Sequence, residues 1–282
     1  MAFLEIDHVS KTFPAPDGRG VLRVFSDVAF DMTEGEFVTM VGHSGCGKST
    51  LLNIIAGLER PTAGGIVLAG REISGPGMDR MVVFQNFSLM PWMTVFENIR
   101  LAVRAAHPRW SRGEVAAYVQ RYVDMVGLTG AEGKRPAALS GGMRQRVGLA
   151  RAFSTQPKVL LLDEPFAQID ALTRGVIQDE LVRMWTGSRN TVFMVTHDVD
   201  EAILLSDRIA LMTSGPDARL AGIVEVKIPR PRSRADLLDD PEYLRLRTRI
   251  LRFLVESGHR RGDDDPEAAL AAGHVPALAR GH

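Results

Sequence analysis

The segment GHSGCGKST, from Gly42 to Thr50, has the residue types and spacing of a phosphate-binding loop. It fits the pattern G-x-x-x-x-G-K-[ST], whose glycines let backbone N–H groups surround the phosphates of a nucleoside triphosphate. Lys48 is expected to neutralise the β- and γ-phosphates, and the Ser49 hydroxyl to ligate Mg²⁺. The predicted nucleotide contacts are Gly42, His43, Ser44, Gly45, Cys46, Gly47, Lys48, Ser49 and Thr50. No chemistry is assigned to His43 or Cys46, because they stand at variable positions of the pattern.

Two further apolar runs end in polar residues that could act on a bound triphosphate. VLLLDE ends at Asp163, a candidate metal ligand, and at Glu164, a candidate base for orienting the attacking water. TVFMVTHD brings His197 to the same edge of a parallel sheet, where ligands bind in open α/β folds. The alternatives are that Glu164 is a solvated acid at a strand end and that His197 is structural.

A second candidate anion-binding segment is LSGGMRQR, from Leu139 to Arg146. Ser140 suits the cap of a helix, and Gly141 and Gly142 leave the first N–H groups of that helix open to an anion. A plain helix cap would need neither the double glycine nor the nearby Gln145. The segment therefore predicts a second set of nucleotide contacts, at Ser140, Gly141, Gly142 and Gln145, although the helix also carries a packed apolar stripe.

The elements that must position these residues alternate along the chain. Apolar strand patterns end in the phosphate loop, in VLLLDE and in TVFMVTHD, and helical patterns separate them, which is typical of an α/β core with a parallel sheet. The first strands predict an antiparallel β subdomain, and a helical subdomain is expected to be inserted at about residues 86–157. The predicted division is an ATP-binding domain at 1–230, a helix-bearing extension at 231–256 and a disordered tail at 257–282.

Composition limits the classes of function. Lysine plus arginine equals aspartate plus glutamate at 34 each, so net charge gives no sign of a nucleic-acid partner. The single cysteine, Cys46, excludes an internal disulfide and favours a reducing compartment. The N-terminus lacks the pattern of a signal peptide, and no apolar run reaches the roughly 20 residues of a spanning helix. Any membrane role is therefore expected to be peripheral.

Taken together, the phosphate loop, VLLLDE and LSGGMRQR make the chain resemble the ATP-binding subunits of ABC transporters, over about residues 2–256. The resemblance implies a head-to-tail dimer, in which the LSGG segment of one subunit closes over ATP held by the phosphate loop of the other. It also implies that Phe13 stacks on adenine and that Gln85 links Mg²⁺ and water to the helical subdomain. Asp170 corresponds to the D-loop aspartate, and His197 to the histidine that contacts the γ-phosphate. The D-loop reads FAQID where relatives usually have a Gly/Ser-Ala-Leu-Asp version.

Longer segments, among them PGMDRMVVFQNFSLMPWMTVFENIRLAV and THDVDEAILLSDRIALMTSGP, narrow the resemblance to the nitrate/sulfonate/taurine import group, and within it to nitrate-import ATPases. This implies a homodimer, or a heterodimer with a related ATPase subunit, docked on integral membrane permease subunits at the cytoplasmic face of the inner membrane. A separate solute-binding protein would complete the complex. The alternatives are the same role for sulfonate, taurine or another small anion and, more remotely, an ABC ATPase without a transport role.

Two rival classes of protein fit the motifs less well than an ABC transporter subunit does. A P-loop kinase or GTPase would not need LSGGMRQR, and an ABC protein acting on ribosomes or DNA would usually show two cassettes.

Leu89 and Trp92 in FSLMPW fit internal packing and a groove for a membrane partner's helix equally well. Cys46, inside the phosphate loop, is expected to react with a maleimide and to be protected by MgATP.

Overall fold

The computed structural model describes residues 2–15 and 19–263. Within them, ten strands are numbered in chain order: β1 (Leu4–Pro14), β2 (Val21–Met32), β3 (Phe37–Val41), β4 (Ala63–Leu68), β5 (Arg71–Glu72), β6 (Arg80–Val83), β7 (Val159–Asp163), β8 (Thr191–Thr196), β9 (Arg208–Met212) and β10 (Leu220–Glu225). The helices are α1 (Lys48–Ala56), α2 (Val95–Ala106), α3 (Arg112–Met125), α4 (Gly141–Phe153), α5 (Ala171–Ser188), α6 (Val199–Leu205), α7 (Arg234–Leu238) and α8 (Pro241–Asp263), with a short 3₁₀ helix at Pro136–Ala138.

The strands form two sheets. The larger sheet has the order β10-β9-β3-β8-β7-β6, in which β10 alone is antiparallel to its neighbour. The smaller sheet, β2-β1-β4-β5, is antiparallel throughout. These arrangements confirm the predicted α/β class, with a parallel core sheet and a separate antiparallel sheet.

The core lies on both faces of the larger sheet, which is why its central strands β3, β7 and β8 are largely apolar and buried along almost their whole length. Successive residues of β7 alternate between two buried clusters: Leu160 and Leu162 belong to one, and Leu161 to the other. The first cluster includes α4, α5 and much of α8, whereas the second includes α1 and the antiparallel sheet. The strands that end at Val41, Asp163 and Thr196 are therefore held rigidly at one sheet edge.

Two expectations from the helical patterns need correction. The segment STLLNIIAGLE predicts a first helix whose packed side includes Leu58. In the structure α1 ends at Ala56, Gly57 adopts a left-handed conformation with φ 76°, and Leu58 is 52% exposed. The C-terminal helix α8 continues to Asp263, past the boundary at residue 256 that was expected to begin the tail. The rest of that expected tail, 264–282, lies outside the described residues.

Candidate active site

The phosphate loop lies between β3 and α1, and its backbone requires glycine at Gly47. This residue caps the start of α1 in the left-handed region, with φ 94°. A Cβ atom there would lie 2.7 Å from side-chain atoms of both Val24 and Phe25, which is too close for any side chain. The loop therefore fits tightly against β2 on one side, while Ser44, Gly45 and Ser49 face solvent on the other.

Lys48 is held inside this loop rather than extended into solvent. Lys48 is 5% exposed, and its ammonium group donates hydrogen bonds to the carbonyl oxygens of Gly42, at 2.8 Å, and of His43, at 2.9 Å. An ammonium group has three donors that can be redirected to another acceptor. The loop thus keeps a positive charge at the position where the motif places the phosphates.

Ser49 and Asp163 bring two hard oxygen ligands together from different elements. The Ser49 hydroxyl donates to Asp163 Oδ1 at 2.8 Å, joining the first turn of α1 to the end of β7. Burial raises the pKa of Asp163, the nearby Glu164 raises it further, and the bond from Ser49 and the charge of Lys48 oppose them. A divalent cation with a preference for oxygen fits this pair, because it would offset the buried negative charge.

Glu164 is the residue on which the other predicted catalytic groups converge. Its backbone takes a left-handed conformation, with φ 43°, while its N–H still donates to the Val195 carbonyl at 3.0 Å. Gln85 Nε2 donates to Glu164 Oε2 at 3.4 Å, and His197 Nδ1 lies 3.3 Å from the same oxygen. Residues from the segments that follow β6 and β8 therefore meet at the carboxylate of the residue that follows β7.

The LSGG segment is built differently from a simple helix cap. Ser140 is exposed and accepts the Met143 N–H at 3.2 Å, as a cap residue does. A Cβ atom at Gly142 would lie 2.4 Å from Thr173 Cγ2, and one at Gly141 would lie 3.0 Å from the Gln168 carbonyl oxygen. The two glycines are thus needed for packing against the segment that begins α5, in addition to the opening they leave for an anion.

Not every predicted contact faces the site. Gln145, expected at the nucleotide, is fully buried in this conformation, and neither polar atom of its amide has a hydrogen-bond partner within the described residues. Its position on the inward face of α4 is a correction to the expectation of direct contact. In the part of the chain that the structure describes, no hydrogen bond or ion pair joins LSGG to the phosphate loop.

The two remaining candidates, Phe13 and Asp170, lie at the surface. Phe13 is partly exposed near the end of β1, with the Lys11 ammonium 4.6 Å from its ring centroid. Asp170 caps α5 by accepting the Thr173 N–H at 3.0 Å, and this bond lowers the pKa of Asp170. Both side chains are therefore accessible to a ligand or a second subunit.

A polar cluster behind His197 was missed by the sequence reasoning. Glu201 accepts hydrogen bonds from Thr196 at 2.9 Å and from Gln178 at 3.0 Å, and Arg174 lies 3.9 Å away. Burial, followed by the charge of Asp198, raises the pKa of Glu201 to about 7. A sequence signal existed, because Asp198 followed by an acidic residue three positions later is a helix start.

The fold and this site together define an ATPase of the phosphate-loop class, and comparison with known proteins identifies the family. The family model described as "ABC transporter" matches residues 25–167. The chain is 51% identical to the nitrate import ATP-binding protein NrtD of Synechococcus elongatus, covering 89% of this chain and 91% of that protein. It is 48% identical to the bicarbonate transport ATP-binding protein CmpD of the same species, covering 89% and 90%. The chain belongs to the ABC transporter family.

Longer relatives and solved structures agree with this assignment. At 52% identity, the match to the nitrate import ATP-binding protein NrtC of Synechocystis sp. covers 90% of this chain but 38% of that protein. The dimeric post-hydrolysis structure of the ATP-binding cassette MJ0796, bound to ADP and Pi, matches with a TM-score of 0.71 and 29% identity, covering 80% of this chain and all of that one. Among the described residues, no helix combines the length and the hydropathy that a membrane-spanning segment requires.

Proposed function

We propose that this chain hydrolyses ATP as the peripheral subunit of an importer for a small inorganic anion. The observation that carries the proposal is the meeting of Gln85 and His197 at the Glu164 carboxylate. This group lies at the same sheet edge as the Ser49–Asp163 pair and the buried Lys48. A binding module without hydrolysis would not need a carboxylate positioned in this way beside a phosphate loop.

In the proposed mechanism each residue has a separate task. The backbone N–H groups of residues 43–50 and the Lys48 ammonium bind the phosphates, and Ser49 and Asp163 hold Mg²⁺ together with Gln85. When bound, Mg²⁺ neutralises charge on the phosphate oxygens. Glu164 orients the attacking water and accepts its proton, and His197 contacts the γ-phosphate while keeping the Glu164 carboxylate in place. Phe13 stacks on the adenine ring.

The second half of the proposal is that two subunits complete each other's sites. Ser140 and Asp170 are exposed, and Leu172 beside Asp170 is 89% exposed, which supports contact with another protein on this face. The similar cassette MJ0796 is dimeric in its solved structures. We propose that Ser140, Gly141 and Gly142 of one subunit close over the ATP of the other, in a homodimer or in a heterodimer with a related ATPase subunit.

The proposed solute is nitrate, with bicarbonate as the second candidate. The relatives named for nitrate and for bicarbonate match at 51% and 48% identity over nearly the same length. Both solutes are small monovalent oxyanions, which supports the class of solute more strongly than the choice between them. Integral permease subunits and a separate solute-binding protein would be the partners, and the chain would lie at the cytoplasmic face of the inner membrane.

Glu164→Gln tests the hydrolytic proposal. The amide keeps the shape of the side chain but cannot accept a proton, so hydrolysis should fall by roughly 10²–10⁴-fold while ATP binding is retained. Steady-state ATPase activity and equilibrium ATP binding measure the two quantities. Glu34→Gln is the control, because Glu34 is an exposed carboxylate in the turn before β3, at the opposite end of that strand from the phosphate loop. Unchanged turnover in Glu164→Gln would remove this residue from the mechanism.

A mixed dimer tests the composite sites. One subunit carries Lys48→Ala, its partner carries Ser140→Arg, and both carry Glu164→Gln so that bound ATP is trapped. If sites form between subunits, one site receives both lesions and the other receives none, so the mixed dimer should trap a single nucleotide while each homodimer traps essentially none. A mixed dimer that forms but traps no ATP contradicts the pairing.

Uptake measurements test the solute. Cells lacking this chain should lose uptake of labelled nitrate, and complementation should restore it, whereas Glu164→Gln should not. Labelled bicarbonate and taurine are measured in parallel. Loss of bicarbonate uptake alone would identify bicarbonate as the solute, and loss of taurine uptake alone would refute the proposal that the solute is a small inorganic anion.

A further inference from the structure

The phosphate loop is in direct contact with the C-terminal helix α8. His43 Nε2 lies 2.7 Å from the Leu254 carbonyl oxygen, and since a carbonyl can only accept, the ring N–H is the donor. A Cβ atom at Gly258 would lie 3.2 Å from both Cε1 and Nε2 of His43. The imidazole thus lies against the backbone of α8 over one helical turn, at a position where α8 leaves room for it.

A second contact ties the same part of α8 to the turn after β9. The Ser214 hydroxyl donates to the Ser257 carbonyl oxygen at 2.8 Å. The neighbouring Gly215 lies close to the phosphate loop, since a Cβ atom there would be 3.3 Å from the Gly45 carbonyl oxygen. The phosphate loop, this turn and α8 therefore form one packed layer, in which Ser257 itself is buried.

The other half of α8 is firmly anchored. Tyr243, Leu246 and Ile250 are buried in the same cluster as α4 and α5. The Tyr243 hydroxyl and Arg247 Nε each donate to Asp200 Oδ1 at 2.8 Å, which fixes α8 to the helix that follows His197. Because the N-terminal half of α8 is fixed in this way, the contact between Leu254 and His43 should restrain the phosphate loop, and α8 should not simply move together with the loop.

His43 is also connected to the phosphate-binding lysine. Its backbone carbonyl accepts a hydrogen bond from Lys48 Nζ at 2.9 Å, while its side chain bonds to α8. A shift of the His43 backbone would therefore move one of the acceptors that orient the Lys48 ammonium group. The ring of His43, its backbone carbonyl and the Lys48 ammonium group therefore connect α8 to the phosphate site.

We propose that His43 is a positioning residue, through which α8 holds the phosphate loop in the conformation that receives ATP. The proposal rests on the proposed function, since it assumes that the loop binds ATP. It gives the C-terminal helix, which lies outside the residues matched by the family model, a part in nucleotide binding.

Full-length variants in the Glu164→Gln background test the proposal through equilibrium binding of MgATP. His43→Ala removes the donor, and Gly258→Val displaces the ring from a distant position in the sequence. Each should weaken ATP binding roughly two- to tenfold, the range expected for one net hydrogen bond. His43→Gln, whose amide can donate to the same carbonyl, should recover most of the affinity. Gly187→Val, a helical glycine with no neighbour within 4 Å of its added Cβ, is the matched control.

A second measurement separates positioning from general destabilisation. Amide hydrogen exchange at residues 43–47 should become faster in His43→Ala and Gly258→Val, while exchange in β7 and the thermal unfolding midpoint of His43→Ala stay close to the parent values. Affinity that is unchanged or tighter in both variants, or slow exchange in the loop, overturns the positioning proposal alone. A parent protein that binds no MgATP overturns the proposed function, and this inference with it.

Discussion

Replacing Glu201 by glutamine should make the folded protein less sensitive to pH between 4.5 and 7. Glu201 lies behind His197 with its side chain 7% exposed, and burial together with the charge of Asp198 raises its pKa from 4.5 to about 7. The bond from Thr196 and the charges of Arg174 and His197 act in the opposite direction but are smaller. The folded state therefore prefers the protonated acid, whereas the unfolded state ionises near the ordinary value.

The magnitude follows from this difference in pKa. A raised pKa in the folded state means that the stabilising contribution is complete below pH 4.5 and is lost as pH rises through 7. A shift from 4.5 to about 7 corresponds to about 3 kcal/mol, at 1.36 kcal/mol for each unit. Glutamine has no proton to lose, and its carbonyl oxygen can still accept the Gln178 bond that Glu201 Oε1 accepts at 3.0 Å.

Urea denaturation at a series of pH values measures the effect as the free energy of unfolding. The difference between Glu201→Gln and the parent should grow in favour of the variant by about 3 kcal/mol from pH 4.5 to pH 8, with most of the change below pH 7.5. Glu5→Gln, which removes one exposed carboxylate from β1, controls for the change in net charge. Parallel pH curves for the parent and Glu201→Gln would show that Glu201 is ionised in the folded protein at low pH, and would refute this reasoning.

Three further outcomes are expected. The burial of Cys46 contradicts the expectation that a maleimide reacts with it and that MgATP protects it, because the residue is fully buried and burial raises the pKa of its thiol. A maleimide should therefore react slowly with the folded protein whether or not MgATP is present, and rapidly in urea. Fast labelling that MgATP blocks would contradict the buried position. Gly142→Ala should destabilise the protein by about 1–3 kcal/mol in thermal or urea unfolding, because the added Cβ would meet Thr173. Gly113→Ala is the control and should have no such effect, since nothing lies near its added Cβ. Equal effects of the two substitutions would refute the packing argument. Trp92→Ala should leave basal ATPase activity intact but reduce solute uptake and co-purification with the permease, because Trp92 is 65% exposed and available to a partner. If the variant instead fails to fold, Trp92 acts as a core residue.

The elements around the phosphate site could be predicted because their signals are local. A glycine pattern after an apolar strand specifies both the loop and the start of α1, and β7 and β8 show as short apolar runs that end in polar residues. The ends of these strands could be placed at one edge because parallel strands share their direction. The position of Asp163, Glu164 and His197 at one sheet edge was accordingly expected from the sequence, whereas the contacts of Gln85 and His197 with the Glu164 carboxylate were not.

The features that could not be predicted from the sequence depend on contacts between distant segments. Gln145 has a polar side chain in a ligand-binding motif, yet the packing of α4 turns it inward. Cys46 lies in a loop that usually faces a ligand, but it belongs to the buried cluster below α1. The contact of His43 with Leu254 joins residues that are 211 positions apart, and no local pattern encodes such a pair.

The close packing of the two LSGG glycines has a mechanical consequence. Gly141 lies against the backbone carbonyl of Gln168 and Gly142 against the side chain of Thr173, so the start of α4 packs directly against the residues at the start of α5. Since protein interiors transmit displacement across such contacts, a movement of Ser140 by an approaching nucleotide should be passed directly to Asp170. In the dimer proposed above, the FAQID sequence would therefore lie where one subunit registers that its partner has bound ATP. A distance probe between Ser140 and Asp170 should stay constant during turnover, while the distance from either residue to the partner subunit changes.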